Sequence, residues 1–93
     1  MQGTSEVLDL GRATRLASPA QRRAVLRRDE HCVWPGCDRP PPMCDVHHVV
    51  PWNHGGPTDL ANLALVCGHH HRRIHHGWKL THLRNGAWDV APP

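Results

Sequence analysis

Two histidines stand side by side, His47 and His48, in the stretch CDVHHVVPWNHGG. Val46, Val49 and Val50 around them are β-branched and favour a strand, where successive side chains point to opposite faces. The two imidazoles are therefore predicted to serve different ends. Farther on, the run HHHRRIHH contains His71 and His75, which at i and i+4 share one face of a helix. If His47 faces that helix, three imidazoles converge on one divalent ion and leave positions open for water and substrate, as in catalytic rather than structural sites. His48, turned away from the ion by strand alternation, is left as a neutral imidazole able to take a proton from water.

A second constellation is closed. Cys32-x4-Cys37 and Cys67-x2-His70 are pairs that each grip an ion from a tight turn, and four thiolate or imidazole ligands make the tetrahedral structural site that Zn²⁺ favours. These four residues are expected to staple the fold without reacting. Cys44 is the rival fourth ligand, although a buried, small apolar role on the strand suits it better. The chain needs such a staple. Its 93 residues include four Trp but no Phe and no Tyr, which is thin apolar material for a domain near the lower size limit for a self-sufficient core.

The formal net charge is +3 with histidines neutral, and the isoelectric point is about 9.0. This balance is compatible with a nucleic-acid partner. Arg22, Arg23, Arg27 and Arg28 fall in one segment, and Arg72 and Arg73 interrupt the candidate ligands of the last histidine run. No secretory apolar region and no membrane-spanning run is evident, so cytoplasmic residence with reduced, metal-binding cysteines is expected.

The elements that must position these groups follow from local signals. Residues 7–16 are read as a short strand or extended lead-in. Ser18-Pro19 starts a helix running through QRRAVLRRDE to near His31. Pro35-Gly36 marks a turn, and Pro40 to Pro42 exclude regular structure. Strand one is expected over about residues 44–50, a Gly-Gly loop follows, and NLALVC is strand two. The HHHRRIHH helix ends at Gly77, a suitable left-handed cap. A C-terminal hairpin over 78–90 turns at Asn85-Gly86, with Trp78 and Trp88 as a candidate cross-strand pair. The remaining histidines, His31, His54, His69, His76 and His82, are read as surface or packing residues.

The order strand, loop, strand, helix, with His47-His48, Asn62, and His71 with His75, resembles the HNH, or ββα-metal, endonucleases. The resemblance covers about residues 32–76, and the flanks LDLGRA, SPAQRRAVLRRD and the GW-hairpin are similar to zinc-bearing C-terminal HNH modules of larger bacterial proteins. It implies an α+β fold: a small zinc-stapled ββα-metal domain with an N-terminal helix and a C-terminal β-hairpin, one unit over residues 1–93 with its N-terminal strand and helix at 7–30. It further implies His47 as first metal ligand, His48 as general base and His71 and His75 as further ligands, with Asn62 bracing the loop that orients His48. His70 stands where many zinc-bearing members have cysteine, and His69 beside it is the alternative ligand within HHH.

The implied activity is hydrolysis of DNA phosphodiester bonds, with low sequence specificity, by one catalytic divalent ion (Mn²⁺, Ni²⁺, Co²⁺, Zn²⁺ or Mg²⁺) beside the structural Zn²⁺. A base and a metal ion supply the activated water and the charge stabilisation that this reaction needs. The arginines are then phosphate contacts giving salt-sensitive binding with little base readout. Two rivals stand beside this reading. A non-catalytic zinc-dependent DNA-binding module would need only the zinc ligands and the arginines, with no use for His48 or Asn62. A secreted disulfide-bonded protein fits the histidine placement less well.

Overall fold

The computed structural model describes residues 7–93. Residues 1–6 of the unit expected over 1–93 lie outside the described residues. Two helices and two small antiparallel sheets follow in the order α1 (Pro19–Asp29), β1 (Cys44–His48), β2 (Leu63–Cys67), α2 (Gly68–His75), β3 (Lys79–His82) and β4 (Trp88–Ala91). This is an α+β architecture, and it brings Cys32, Cys37, Cys67 and His70 into one cluster able to hold a metal ion.

Helix α1 starts as its sequence directs. The Ser18 hydroxyl accepts the Gln21 N–H at 3.1 Å, and Gln21 Oε1 accepts the Ser18 N–H at 3.0 Å. This capping box satisfies donors that a helix start otherwise leaves unpaired. Pro19 occupies the first turn, where its missing N–H costs nothing. The helix ends at Asp29, with Glu30 in the left-handed region at φ 67° and its N–H bonded to the Leu26 carbonyl. Val25, fully buried, carries α1 onto β2.

β1 and β2 pair antiparallel with Cys44 opposite Cys67, His47 opposite Ala64 and His48 opposite Leu63. β2 is buried along its whole length, which explains why LALVC reads as a continuous apolar run rather than an alternating one. Leu63, Leu65, Val66, Val25 and Trp34 make the centre of the core.

Three expectations are corrected, and the choice left open for residues 7–16 is decided. β1 stops at His48 rather than near residue 50. The Val49 N–H still reaches the Asn62 carbonyl, but the Val50 N–H is taken by the Asn62 side chain, and the chain then turns at Pro51. Residues 7–16 form no strand beyond a single bridge, Asp9 with Asp59. They lie instead as a clasp across the loop, with Leu10 N–H on the Thr58 carbonyl and Thr58 N–H on the Gly11 carbonyl. At the hairpin, Gly86 alone adopts positive φ, at 85°, whereas Asn85 does not. The turn is closed by Gly86 N–H on the Leu83 carbonyl, with Asn85 Oδ1 accepting the Ala87 N–H. Finally, Trp88 lies opposite His82 and stacks on it at 4.3 Å. Trp78, which precedes β3, packs against Trp34 at 5.6 Å.

Candidate functional site

The end of β2 and the start of α2 bring the first cluster together. Cys67 is the residue before α2 and His70 lies in its first turn, while Cys32 and Cys37 flank a tight turn closed by Cys37 N–H on the Trp34 carbonyl. The four ligand atoms of Cys32, Cys37, Cys67 and His70 lie within 4.8 Å of one another. Cys37 Sγ is 4.0 Å from Cys67 Sγ, and His70 Nδ1 is 3.3 Å from Cys67 Sγ and 3.7 Å from Cys32 Sγ. Two thiolates each about 2.3 Å from one tetrahedral zinc ion lie about 3.8 Å apart, so the spacing suits zinc and is too long for a disulfide.

The imidazole of His70 lies flat on Trp34, with centroids 4.5 Å apart, which fixes its plane. Burial pushes the Cys32 thiol up to about 12. Burial opposes ionisation of Cys67 as well, but the His70 backbone N–H and the Arg39 guanidinium draw its pKa below the ordinary value. A dication favours the thiolate form of all three. Cys44 stands apart from the cluster, with its thiol directed to the carbonyls of Arg39 and Pro40. His69 touches His70 as a ring neighbour and is not among the four convergent ligands.

The second group lines a cleft of about 550 Å³ formed by β1, the loop after it and α2. His47 from β1 meets His71 edge to face with centroids 5.1 Å apart, and His71 and His75 are 4.8 Å apart. These three rings are neighbours without the tight convergence of ligand atoms seen in the cysteine cluster, which is the one set of that closeness among the described residues. Burial first, then the charges of His71, His48 and His75, lowers the pKa of His47 to about 4. Burial first and His75 next lower that of His71, against the pull of Asp45, whose Oδ2 lies 3.9 Å from His71 Nδ1. Their lone pairs are thus open to a metal ion at neutral pH.

His48 also lines the cleft, but its Nε2 is turned to Thr58 Oγ1 at 2.9 Å. Burial first, and then Arg15 and Arg12, lowers its pKa. Asn62 sits behind the loop. Its Oδ1 accepts the Val50 N–H at 2.9 Å, and its Nδ2 donates to the carbonyls of Val50 at 3.1 Å and Pro57 at 2.9 Å. Gly56 packs so closely there that an added Cβ would fall 1.8 Å from the Val50 oxygen.

The arginines divide by environment. Arg28 is bound to protein acceptors: the Asp29 carboxylate and the carbonyls of Leu60 and Leu63. Arg22 borders a hollow with Arg15 and His48. Arg72 and Arg73 are exposed on α2, with Arg73 also over the Trp78 ring at 5.4 Å.

Three residues of this region carry no signal in the sequence reading. Arg15 lines the cleft beside the histidines. Arg12 donates to the carbonyls of Trp52 and Gly56 and lies 3.7 Å over the Trp52 ring. Thr58, fully buried, holds His48. Arg12 and Thr58 act through partners 10 to 44 positions away, so no local spacing could have marked them.

Residues 30–77 match the family described as HNH endonuclease. An uncharacterized protein of Mycobacterium bovis is 42% identical over 86 residues, covering 92% of this chain and 19% of that protein. An uncharacterized protein of Mycobacterium tuberculosis matches to the same extent, and another from that organism is 45% identical over 85 residues, covering 91% of this chain and 20% of its own length. The chain thus spans about a fifth of the length of the curated relatives it matches. No solved structure gives a significant match.

Proposed function

The chain belongs to the HNH endonuclease family, and from that premise we propose that it is a metal-dependent endonuclease that hydrolyses DNA phosphodiester bonds with low sequence specificity. The observation that carries this reading is one cleft lined by both His48 and the His47–His71–His75 group, with Asn62 bracing the intervening loop. Neutral imidazoles suit a first-row divalent ion. We assign His47, His71 and His75 as its ligands, and Cys32, Cys37, Cys67 and His70 as the ligands of a structural Zn²⁺. The catalytic ion, when bound, supplies charge stabilisation to the phosphoryl oxygens and the leaving 3′ oxygen.

The protein groups do the rest. His48 accepts the proton of the attacking water as the new P–O bond forms and the bond to the 3′ oxygen breaks. Arg15, which lines the cleft, offsets charge on the phosphate, and Arg72, Arg73, Arg22, Arg23 and Arg27 grip the flanking backbone. Arg28, expected among these contacts, is assigned to bracing β2 instead. The acting unit is the chain read as one domain, its core at 32–76, working in the reducing cytoplasm. No helix among the described residues is long and apolar enough to cross a membrane.

A purely DNA-binding zinc module would retain the cysteine cluster and the arginines but gains nothing from an oriented His48. Nicking of supercoiled plasmid across a panel of divalent ions tests the proposal. Conversion to open circles with at least one ion supports it, and binding without conversion under any ion supports the binding module.

A further inference from the structure

We propose that Thr58 is a positioning residue that fixes the tautomer of His48, so that Nε2 carries the hydrogen and Nδ1 is presented as the proton acceptor. The inference rests on the reading of His48 as general base and adds to it the residue and the ring nitrogen involved.

The argument is one of donors and acceptors. Thr58 Oγ1 lies 2.6 Å from the Thr14 carbonyl oxygen and 3.3 Å from that of Arg15. A carbonyl only accepts, and a hydroxyl has one proton to give. At 2.6 Å that proton belongs to the Thr14 oxygen, because two oxygens so close without a proton between them repel. The third neighbour of Oγ1 is His48 Nε2, at 2.9 Å. With its proton spent, Oγ1 can only accept there, and Nε2 must donate. In a neutral imidazole the other nitrogen is then the acceptor, and Nδ1 has no hydrogen-bond partner among the described residues.

Thr58 is itself immobilised, as this role requires. Its side chain is fully buried. Its N–H donates to the Gly11 carbonyl, and its carbonyl accepts from the Leu10 N–H and from Gln21 Nε2 at 2.8 Å. Gln21, equally buried, also donates to the Leu8 carbonyl and closes the cap of α1. The N-terminal clasp and the first helix thus converge on Thr58, the residue whose hydroxyl holds His48. A side chain fixed by such outer contacts keeps its ring direction as well as its tautomer.

The test combines a spectrum with kinetics on the zinc-loaded protein. Nitrogen-15 NMR of histidine-labelled protein at neutral pH reads the tautomer of His48 without reference to activity. The expected wild-type signal is the Nε2–H form, retained in Thr58→Ser and replaced by a mixture in Thr58→Val. In plasmid nicking, Thr58→Val should lower kcat by about 10- to 100-fold, the usual scale for an outer-contact partner, with KM for DNA unchanged, and Thr58→Ser should recover most of the loss. An Nδ1–H wild-type signal, or nicking by folded Thr58→Val at the wild-type kcat, would overturn the proposal. If Thr58→Val does not fold, the wild-type and Thr58→Ser spectra still decide the tautomer. A wild-type protein with the Nε2–H form that nicks nothing would overturn the general-base reading while leaving the Thr58 assignment standing.

Discussion

The imidazoles of His47 and His71 meet edge to face with centroids 5.1 Å apart, one carried by β1 and the other by α2. The contact draws ionisable groups into partly buried surroundings, and it makes stability depend on pH. Burial, then His71, His48 and His75, holds the folded pKa of His47 at about 4 against an ordinary 6.5. As pH falls, the unfolded chain takes up this proton first. The contribution is therefore complete above about 6.5 and is lost progressively toward about 4. The urea midpoint of wild type should fall on going from about pH 7 to about pH 5, and His47→Ala should show a smaller fall. Equal falls in the two proteins would assign the pH dependence elsewhere.

The cysteines should separate by role. Cys32→Ser is expected to lose zinc and helical circular dichroism together, since metal binding supplies much of the folding free energy in small zinc domains. Cys44→Ala should keep one zinc per chain, because its thiol points to the carbonyls of Arg39 and Pro40. Loss of zinc from Cys44→Ala would transfer the ligand role to it.

The loop brace gives a third expectation. Asn62→Ala removes three side-chain hydrogen bonds, each worth about 0.5–1.5 kcal/mol net, so a loss of about 1.5–4.5 kcal/mol is expected in denaturant titration. Nicking should fall with it, because His48 enters this loop. Gly56→Ala should disturb the same segment, since its Cβ would meet backbone that cannot swing aside. An unchanged midpoint in both variants would contradict the bracing role.

How much of this was legible beforehand depended on how local the cause was. The Ser18-Pro19 helix start, the β-branched and apolar runs of β1 and β2, and the i, i+4 spacing of His71 and His75 act within a few residues, and the elements they mark are the ones observed. The pairing of Cys32 and Cys37 with Cys67 and His70 was also readable, because the ligand types announce one another across the chain. The clasp at 8–15 was not. Its hydrogen bonds go to Thr58 and Leu60, and nothing in LDLGRATR states what it will touch. Arg28 misled for a related reason: a helix arginine looks the same whether it will meet phosphate or, as here, the carbonyls of Leu60 and Leu63.

Those two arginine environments yield a fourth expectation. Arg28→Ala should lower the midpoint of thermal unfolding, because it strips the acceptors of β2 and the preceding turn of their donor. Arg15→Ala should leave that midpoint near wild type while nicking falls about 10-fold or more, in proportion to lost charge stabilisation in the cleft. The reverse pattern, stability lost with Arg15 and activity with Arg28, would exchange their roles.

The division of labour between neighbouring histidines is the claim on which the nuclease reading depends, and plasmid nicking by His48→Ala tests it most directly. His48→Ala should bind DNA and divalent ion as wild type does, while nicking falls by about two orders of magnitude or more, the scale for losing a general base. His47→Ala, by contrast, should recover part of its activity when the divalent ion is raised. Nicking by His48→Ala at the wild-type rate, with metal and DNA bound, would contradict the account.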